Sequence, residues 1–420
     1  MGEHASSYCP PVVRVRHDFV GRTWGCIVRL VAKFGGTSLG SGERIDRAAD
    51  SITDVVQDGH EIVVVASAMG SSTDDLLSEI SFEASDQDRA EIVSMGERTS
   101  VRMLKAALTA RGVPAVFVEP GTPDWPIVVD GHGEVDQEET ARRMEKLAET
   151  LGDAVPVVTG FLAEDPEGNI TTLGRGGSDT TAVMMGRYIG ADEVVIVTDV
   201  EGVMTGDPRS VEGARNVGQI TVDELRSLSF RGAEVVAPSA LSYKTDDFDV
   251  RVIHYQHGNL LSGGTDIVGE FRNLIDMRER PLACVTVAGR AIRNQAGVLG
   301  DLTSVLGASG INVDTVASGL DSITFYVDAE DGDDAQAILH DAVVKSEVLS
   351  SCTVDSPVAV VRITSGELSN HMGSVMDILD PLVEKHIAIH DVITSASSVA
   401  VFVDWDDGER ALGLIQTQFD

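Results

Sequence analysis

The sequence predicts an α/β protein, with a mostly parallel sheet sandwiched by helices followed by a pair of smaller, related α/β units. Three observations lead there. Short β-branched apolar runs alternate with helical stretches from Val28 onward, glycine-rich segments fall where strand gives way to helix, and beyond Arg280 the order of elements repeats. Strands separated by helices belong to parallel sheets, because each crossover lays a helix over one face and leaves the strand apolar on both sides.

Residues 1–27, with Cys9, Pro10, Pro11 and Trp24, show no clear period and no continuous apolar segment of signal-peptide type. They are expected to be an extension or a misassigned start. The first strand begins near Val28, and strand-like runs follow at 62–65, 115–118, 155–159, 193–197 and 250–254. Helices are expected over 89–108, 138–151 and 178–189. Beyond Arg280, 283–288 reads as a strand, 297–306 as a helix, and 311–314 and 323–328 as two more strands. The same series returns at 358–364, 373–383, 387–390 and 399–404. Ile311 stands to Ile387, Val313 to Ile389, Val327 to Val403 and Asp328 to Asp404, each 76 residues apart without gaps. Two copies of a βαββ-type unit are implied. They suit an effector-binding or dimer-forming module, or a duplicated packing unit with no ligand.

Composition narrows the function. At 420 residues the chain exceeds one ordinary hydrophobic core, so two or three domains are expected. A net charge of −35 argues against a nucleic-acid binder, whose footprint is a basic patch. The acidic residues are scattered rather than gathered in a tail, and 6 Lys stand against 26 Arg. Such a surface resembles proteins from salt-saturated cytoplasm, where screening at 1 M salt shortens carboxylate repulsion to about 3 Å. A merely acidic mesophilic protein is the alternative. Cys9, Cys26, Cys284 and Cys352 lie far apart with no CxxC pair, which suggests neither a disulfide framework nor a zinc site and fits a reducing cytoplasm. No apolar run reaches bilayer length, so no membrane association is expected.

Three segments carry chemistry. Lys33-Phe34-Gly35-Gly36-Thr37-Ser38 reads as a strand end running toward a helix. Its glycines free backbone N–H groups to turn toward a phosphate, its hydroxyls add donors, and Lys33 supplies a compact cation. The Walker A order is absent. In Leu173-Gly174-Arg175-Gly176-Gly177-Ser178-Asp179-Thr180-Thr181, glycines again precede a helix, whose N-terminus favours anions. Arg175 has the planar fork that clamps a carboxylate. Ser178 or Asp179 also serves as a helix cap, yet capping explains neither the arginine nor three glycines. The third segment runs from a buried strand through Thr198, Asp199, Gly202, Met204, Asp207 and Arg209, and reads as a pocket-lining loop or a hairpin-like turn. His254 and His257 read better as a strand-exit surface than as a metal pair.

Together these segments resemble the amino-acid kinase family, and within it aspartate kinase. Ser67-Ala68-Met69-Gly70 with Thr73, and Met95-Gly96-Glu97-Arg98, sit in that family's order and spacing. The repeated tail is similar to its paired ACT domains. The resemblance covers nearly the whole chain from Val28. It implies an amino-acid kinase domain over 28–275, followed by two ferredoxin-like ACT (βαββαβ) domains over 281–350 and 357–420.

The resemblance also implies roles. Lys33 would neutralise the transferring phosphoryl group, with Gly35, Gly36, Thr37 and Ser38 holding phosphate oxygens and Asp179 organising Lys33. Glu97 would contact the substrate ammonium, while Ser67, Thr73, Arg175 and Ser178 hold its carboxylates. Thr198, Asp199, Met204, Asp207 and Arg209 would line the ATP site, and Asp314 matches an effector-contact position. The implied substrates are L-aspartate and ATP, with Mg²⁺ carried by ATP and no dedicated protein metal site. The implied effector is lysine or threonine, and the implied assembly is a homodimer or larger. Glu234 and Ala237 depart from the family pattern, where a lysine and a histidine are common. The alternatives are a relative acting on glutamate, acetylglutamate or UMP, and an amino-acid-sensing protein with a degenerate kinase domain.

Overall fold

The computed structural model describes residues 27–229, 235–290, 292–365, 374–395 and 398–419. The first unit runs β1 (Arg29–Phe34), α1 (Gly42–Gln57), β2 (Glu61–Ala66), α2 (Ser72–Glu79), α3 (Asp86–Ala110), β3 (Ala115–Val118), α4 (Gln137–Ala148) and β4 (Val155–Thr159). It continues with β5 (Leu162–Glu164), β6 (Ile170–Thr172), α5 (Gly177–Tyr188), β7 (Glu193–Thr198), β8 (Gln219–Thr221), α6 (Val222–Ser229), α7 (Pro238–Leu241), β9 (Asp249–His254) and β10 (Thr265–Val268). The strand order is β3-β4-β2-β1-β7-β9-β10-β8. Parallel pairing holds from β3 to β9, and only the β9–β10 pair is antiparallel. A mostly parallel sheet between two helical layers is therefore what forms.

Strand alternation decides which face each residue serves. Along β1, Leu30, Ala32 and Phe34 pack with Ile45, Ala49 and Ile52 of α1 and Leu104 of α3. Val31 packs on the other face with Ala182 and Met184 of α5. Lys33 follows Val31 by two, so it faces α5. α1 forms because its apolar residues recur every three or four positions and Ser41 caps its first turn, accepting from the Arg44 N–H. The expected helix over 138–151 ends at Ala148, where 149–153 form a turn.

The second unit contains β11 (Leu274–Met277), β12 (Leu282–Gly289), α8 (Val298–Ala308), β13 (Val313–Ser318), β14 (Ser322–Asp328), α9 (Gly332–Lys345) and β15 (Leu349–Thr364). It ends with α10 (Ser374–Glu384), β16 (Ile389–Thr394), β17 (Ser398–Asp404) and α11 (Gly408–Phe419). The duplication holds: α8 and α10, β13 and β16, β14 and β17, and α9 and α11 begin at corresponding positions. Each copy has a further helix beyond the βαββ series read from the repeat, as the βαββαβ pattern of the resemblance implies. The strands expected at 311–314 and 387–390 begin two residues later, because Ile311 and Ile387 are core residues in the loops leading to them.

The two copies share one sheet, ordered β13-β14-β12-β15-β17-β16. The sixteen-residue β15 serves both, its first half pairing β12 and its second half β17. β11 also pairs with that second half, Leu274 opposite Thr364. The second copy thus takes an outer strand from upstream of the first, so the expected range of 28–275 for the first unit cuts into β11. Tyr326 and Phe402, equivalent residues of the two copies, stack with ring centroids 4.0 Å apart. Around them Leu282, Val358 and Val360 close a small core between the copies.

Candidate active site

The C-terminal ends of β1, β2, β4, β7 and β9 lie along one edge of the parallel sheet. In open α/β sheets this is where ligands bind, since loops and helix N-termini meet there. Lys33 is the penultimate residue of β1, and its Nζ lies 2.6 Å from Oδ1 of Asp179 in the first turn of α5. The other Asp179 oxygen accepts from the Ala237 N–H at 3.2 Å. Both side chains are mostly buried. A partly dehydrated ion pair holds Lys33 in one place, which is what a cation needs to act on charge that develops in a transition state.

The turn after β1 is fixed from both sides. The Gly35 N–H donates to the Val197 carbonyl at 3.0 Å, and the Gly36 carbonyl accepts from the Gly70 N–H at 2.9 Å. A Cβ on Gly36 would stand 2.8 Å from the carbonyl oxygens of Ala68 and Gly70, so only glycine fits. Thr37 is exposed. Ser38 differs from expectation: its hydroxyl is buried and donates to the Val197 carbonyl at 3.0 Å. A buried carbonyl at the end of β7 needs a donor, and Ser38 supplies it, so this hydroxyl shapes the turn rather than adding a free donor.

Two residues here were not singled out from the sequence. Arg44 donates to the Thr37 carbonyl, and its guanidinium lies 4.6 Å from the Tyr255 ring centroid. Arg44 gives no motif signal, since it stands in the first turn of an ordinary amphipathic helix. Tyr255 was legible only as part of a strand exit.

Over β2 and β4 lies the other half of the site. Glu97, midway along α3, is 3% exposed, and its Oε1 accepts from the Ala68 N–H at 3.3 Å. Its Oε2 has no hydrogen-bond partner among the described residues. Burial pushes this carboxyl up to about 7, although its backbone hydrogen bonds pull the other way. The Thr73 hydroxyl lies over Gly96, Ser67 follows β2 directly, and Ser178 packs against Gly160 at the end of β4. Arg175 stands exposed on the turn before α5, with no ion pair among the described residues. That turn needs Gly176, whose φ is 74°; a Cβ there would come within 2.2 Å of the Ala237 Cβ.

The remaining predicted residues lie farther along. Thr198 ends β7 beside this turn, with its hydroxyl toward Asp199 at 3.3 Å. Met204 sits in a hairpin excursion, bridged to Asn216. Asp207 accepts from the Arg209 N–H at 2.9 Å and from its guanidinium at 3.3 Å, closing a loop of its own. Among the described residues no hydrogen bond ties Met204, Asp207 or Arg209 to the Lys33–Asp179 pair. Asp314 lies in the C-terminal sheet, with Arg362 at 2.9 Å and Arg278 at 3.7 Å. Glu234 lies outside the described residues.

Comparison with known proteins agrees with this fold. The model of the amino acid kinase family matches residues 28–254, and an ACT domain model matches 285–343. Aspartokinase 2 of Bacillus subtilis is 32% identical over 409 residues, covering 93% of this chain and 97% of the relative. The chain belongs to the aspartokinase branch of the amino acid kinase family. An aspartate kinase of Stutzerimonas stutzeri is 30% identical over the same shares. The solved aspartate kinase from Synechocystis superposes with a TM-score of 0.78 at 27% identity, over 93% of this chain and 69% of that one. E. coli aspartokinase III, at 22% identity and a TM-score of 0.53, shares the fold. Within the aspartokinase branch, Ala237 acquires a local meaning: its N–H holds Asp179, and its small side chain allows Gly176 to approach.

Proposed function

We propose that this chain transfers the γ-phosphate of ATP to the β-carboxylate of L-aspartate, giving 4-phospho-L-aspartate, the first step toward lysine, threonine and methionine. The observation that carries this is the Lys33–Asp179 pair at the head of a glycine turn whose Gly36 lies against Ala68, the residue whose N–H the buried Glu97 accepts from. E. coli aspartokinase III has been solved with aspartate and ADP, and with lysine and aspartate.

The attacking carboxylate is ionised at neutral pH, so no general base is required. One aspartate oxygen attacks the γ-phosphorus in line as the bond to the β-phosphate oxygen breaks. Positioning and electrostatics supply most of the rate. Lys33 follows the charge on the transferring group, the turn at 36–37 offers N–H groups, and the N-terminal end of α5 adds its positive dipole. Glu97 takes the substrate ammonium, which fits a buried carboxylate oxygen lacking a partner. Arg175, Ser178, Ser67 and Thr73 take its carboxylates. Thr198, Asp199, Met204, Asp207 and Arg209 border ATP. Mg²⁺ enters with ATP as the substrate complex.

The C-terminal sheet is the regulatory part, sensing lysine or threonine. β13 and β16 end its strand order and leave backbone groups for pairing, which supports a homodimer or larger assembly. No helix among the described residues is long and apolar enough to cross a membrane, and a cytoplasmic setting suits an ATP-consuming biosynthetic step. The test is purified protein in molar KCl with ATP, hydroxylamine and aspartate, glutamate, acetylglutamate or UMP in turn. Aspartyl hydroxamate is expected; its absence would sink the reading, and turnover unaffected by any amino acid would remove only the regulation.

A further inference from the structure

One covalent crossing joins the kinase unit to the regulatory sheet, the segment between β10 and β11. A buried side chain closes this crossing. Arg226 on α6 is 4% exposed, and its Nη2 donates to the Ser365 carbonyl, 3.2 Å away, just past the end of β15. Its guanidinium also lies 3.7 Å from the ring centroid of Phe271, on the segment that leads into β11. β11 and the end of β15 are paired at this point, Leu274 opposite Thr364. A cation of the kinase unit therefore touches both the segment that leads into β11 and the residue just past β15.

Contacts run from there to the reacting centre. The Phe271 N–H donates to the Lys244 carbonyl at 3.2 Å. Lys244 follows α7 and is itself buried, its ammonium held by the carbonyls of Thr245 at 2.6 Å and Gly269 at 2.9 Å. Ala237, the N-cap of α7, holds Asp179 through its N–H. Leu225 of α6 shares a core with Ala240 and Leu241 of α7, so the two helices are also joined by packing.

The chemistry of Arg226 is poor for a filler. Its Nε and Nη1 have no hydrogen-bond partner among the described residues, and burial pulls its pKa down to about 10. Apolar side chains of similar volume commonly replace buried charges with no loss of stability. A methionine lying on Phe271 would serve packing at least as well.

We infer that Arg226 is a positioning residue that couples the regulatory sheet to the Lys33–Asp179 pair across this junction. Movement of the sheet carries Ser365 and Phe271 with it; α6 and α7 follow, and the Ala237 N–H changes how Asp179 holds Lys33. The inference rests on the proposed activity only for its kinetic arm.

The test uses the full chain carrying Arg226→Met, with Arg226→Lys as the conservative variant. Expected for Arg226→Met are an unchanged or higher Tm, faster hydrogen exchange in peptides covering 235–244, and basal kcat close to that of the parent. Whichever of lysine or threonine inhibits the parent is expected to require about tenfold more for the same effect, within the range of ordinary coupling energies. Arg226→Lys, which keeps a donor for Ser365, is expected to restore part of the response. Unchanged exchange at 235–244 together with unchanged inhibition overturns the coupling. Should the parent make no aspartyl hydroxamate, the activity reading falls instead; there, or where no amino acid inhibits, unchanged exchange in Arg226→Met alone overturns the coupling.

Discussion

At the scale of single residues, the site depends on two buried charges treated differently by their surroundings. Asp179 is matched by Lys33 at 2.6 Å and by a backbone N–H, and these contacts fix where the lysine sits. Asp179→Asn removes the charge that fixes Lys33 and is expected to lower kcat by ~10²–10³-fold, the range for losing one preorganised electrostatic contact. KM values should move far less, and a change confined to KM would contradict the assigned role. Glu97 has no cation beside it among the described residues, and burial raises its carboxyl to about 7. On the proposed role, the ionised form is the one that takes the substrate ammonium, so KM for aspartate is expected to fall as pH rises from about 6 to 8 and then level off. Glu97→Gln should abolish that dependence and raise KM by ~10–100-fold, the worth of a hydrogen bond to a charged group. The stability slope has a definite sign. A carboxyl whose pKa is raised in the fold contributes stability that is fully present below 4.5 and lost as pH rises through about 7, and Glu97→Gln should remove that loss. Lys33 and Asp179 were legible in the sequence as charges beside glycines at strand-to-helix junctions, and Glu97, midway along α3, only through the family resemblance. Arg44 was not, and Ala237 was marked only as a departure from the family pattern. One acts through the Thr37 carbonyl and the other through its own N–H, and backbone contacts leave no residue-type signal.

At the scale of elements, period-2 alternation along β1 decides that Lys33 meets α5, and the left-handed turn at Gly176 decides where α5 begins. Gly176→Ala forces a side chain into φ 74° and to within 2.2 Å of Ala237. A loss of stability of ~1–3 kcal/mol is expected, with a larger loss of kcat/KM as Asp179 is displaced. Thermal melts and the hydroxamate assay check this, and a variant equal to the parent in both would show that the turn tolerates a Cβ. The buried strands were recognisable as β-branched runs. The excursion holding Met204, Asp207 and Arg209 folds back on itself through backbone pairing of Thr205 with Arg215 and Val217 with Val203, a hairpin form that does not by itself decide what it borders. Such pairing depends on a partner segment ten or more residues away, with no alternating apolar pattern to announce it.

For the whole molecule, the scattered carboxylates and net charge of −35 remain a statement about solvent. Raising KCl from 0.1 to 1 M shortens the screening length from about 10 to about 3 Å. Tm is expected to climb by several degrees over that range if the surface is adapted to salt, whereas a flat or falling Tm would mark a merely acidic protein. The duplication was readable because both copies keep their apolar positions in step. Its assembly was not, since β11 completes the second copy from before the first, and pairing between distant strands is invisible to a local pattern. The sequence by itself determined the α/β class, the repeat, the charged surface and the chemical types of the site, because each is written in periodicity or in residue identity. Only the tertiary structure decided that Ser38 turns inward, that β15 serves both regulatory copies, and that Arg226 grips their junction. Those outcomes depend on which backbone groups burial leaves in need of a partner, and chain order does not say which segment will be near enough to supply one.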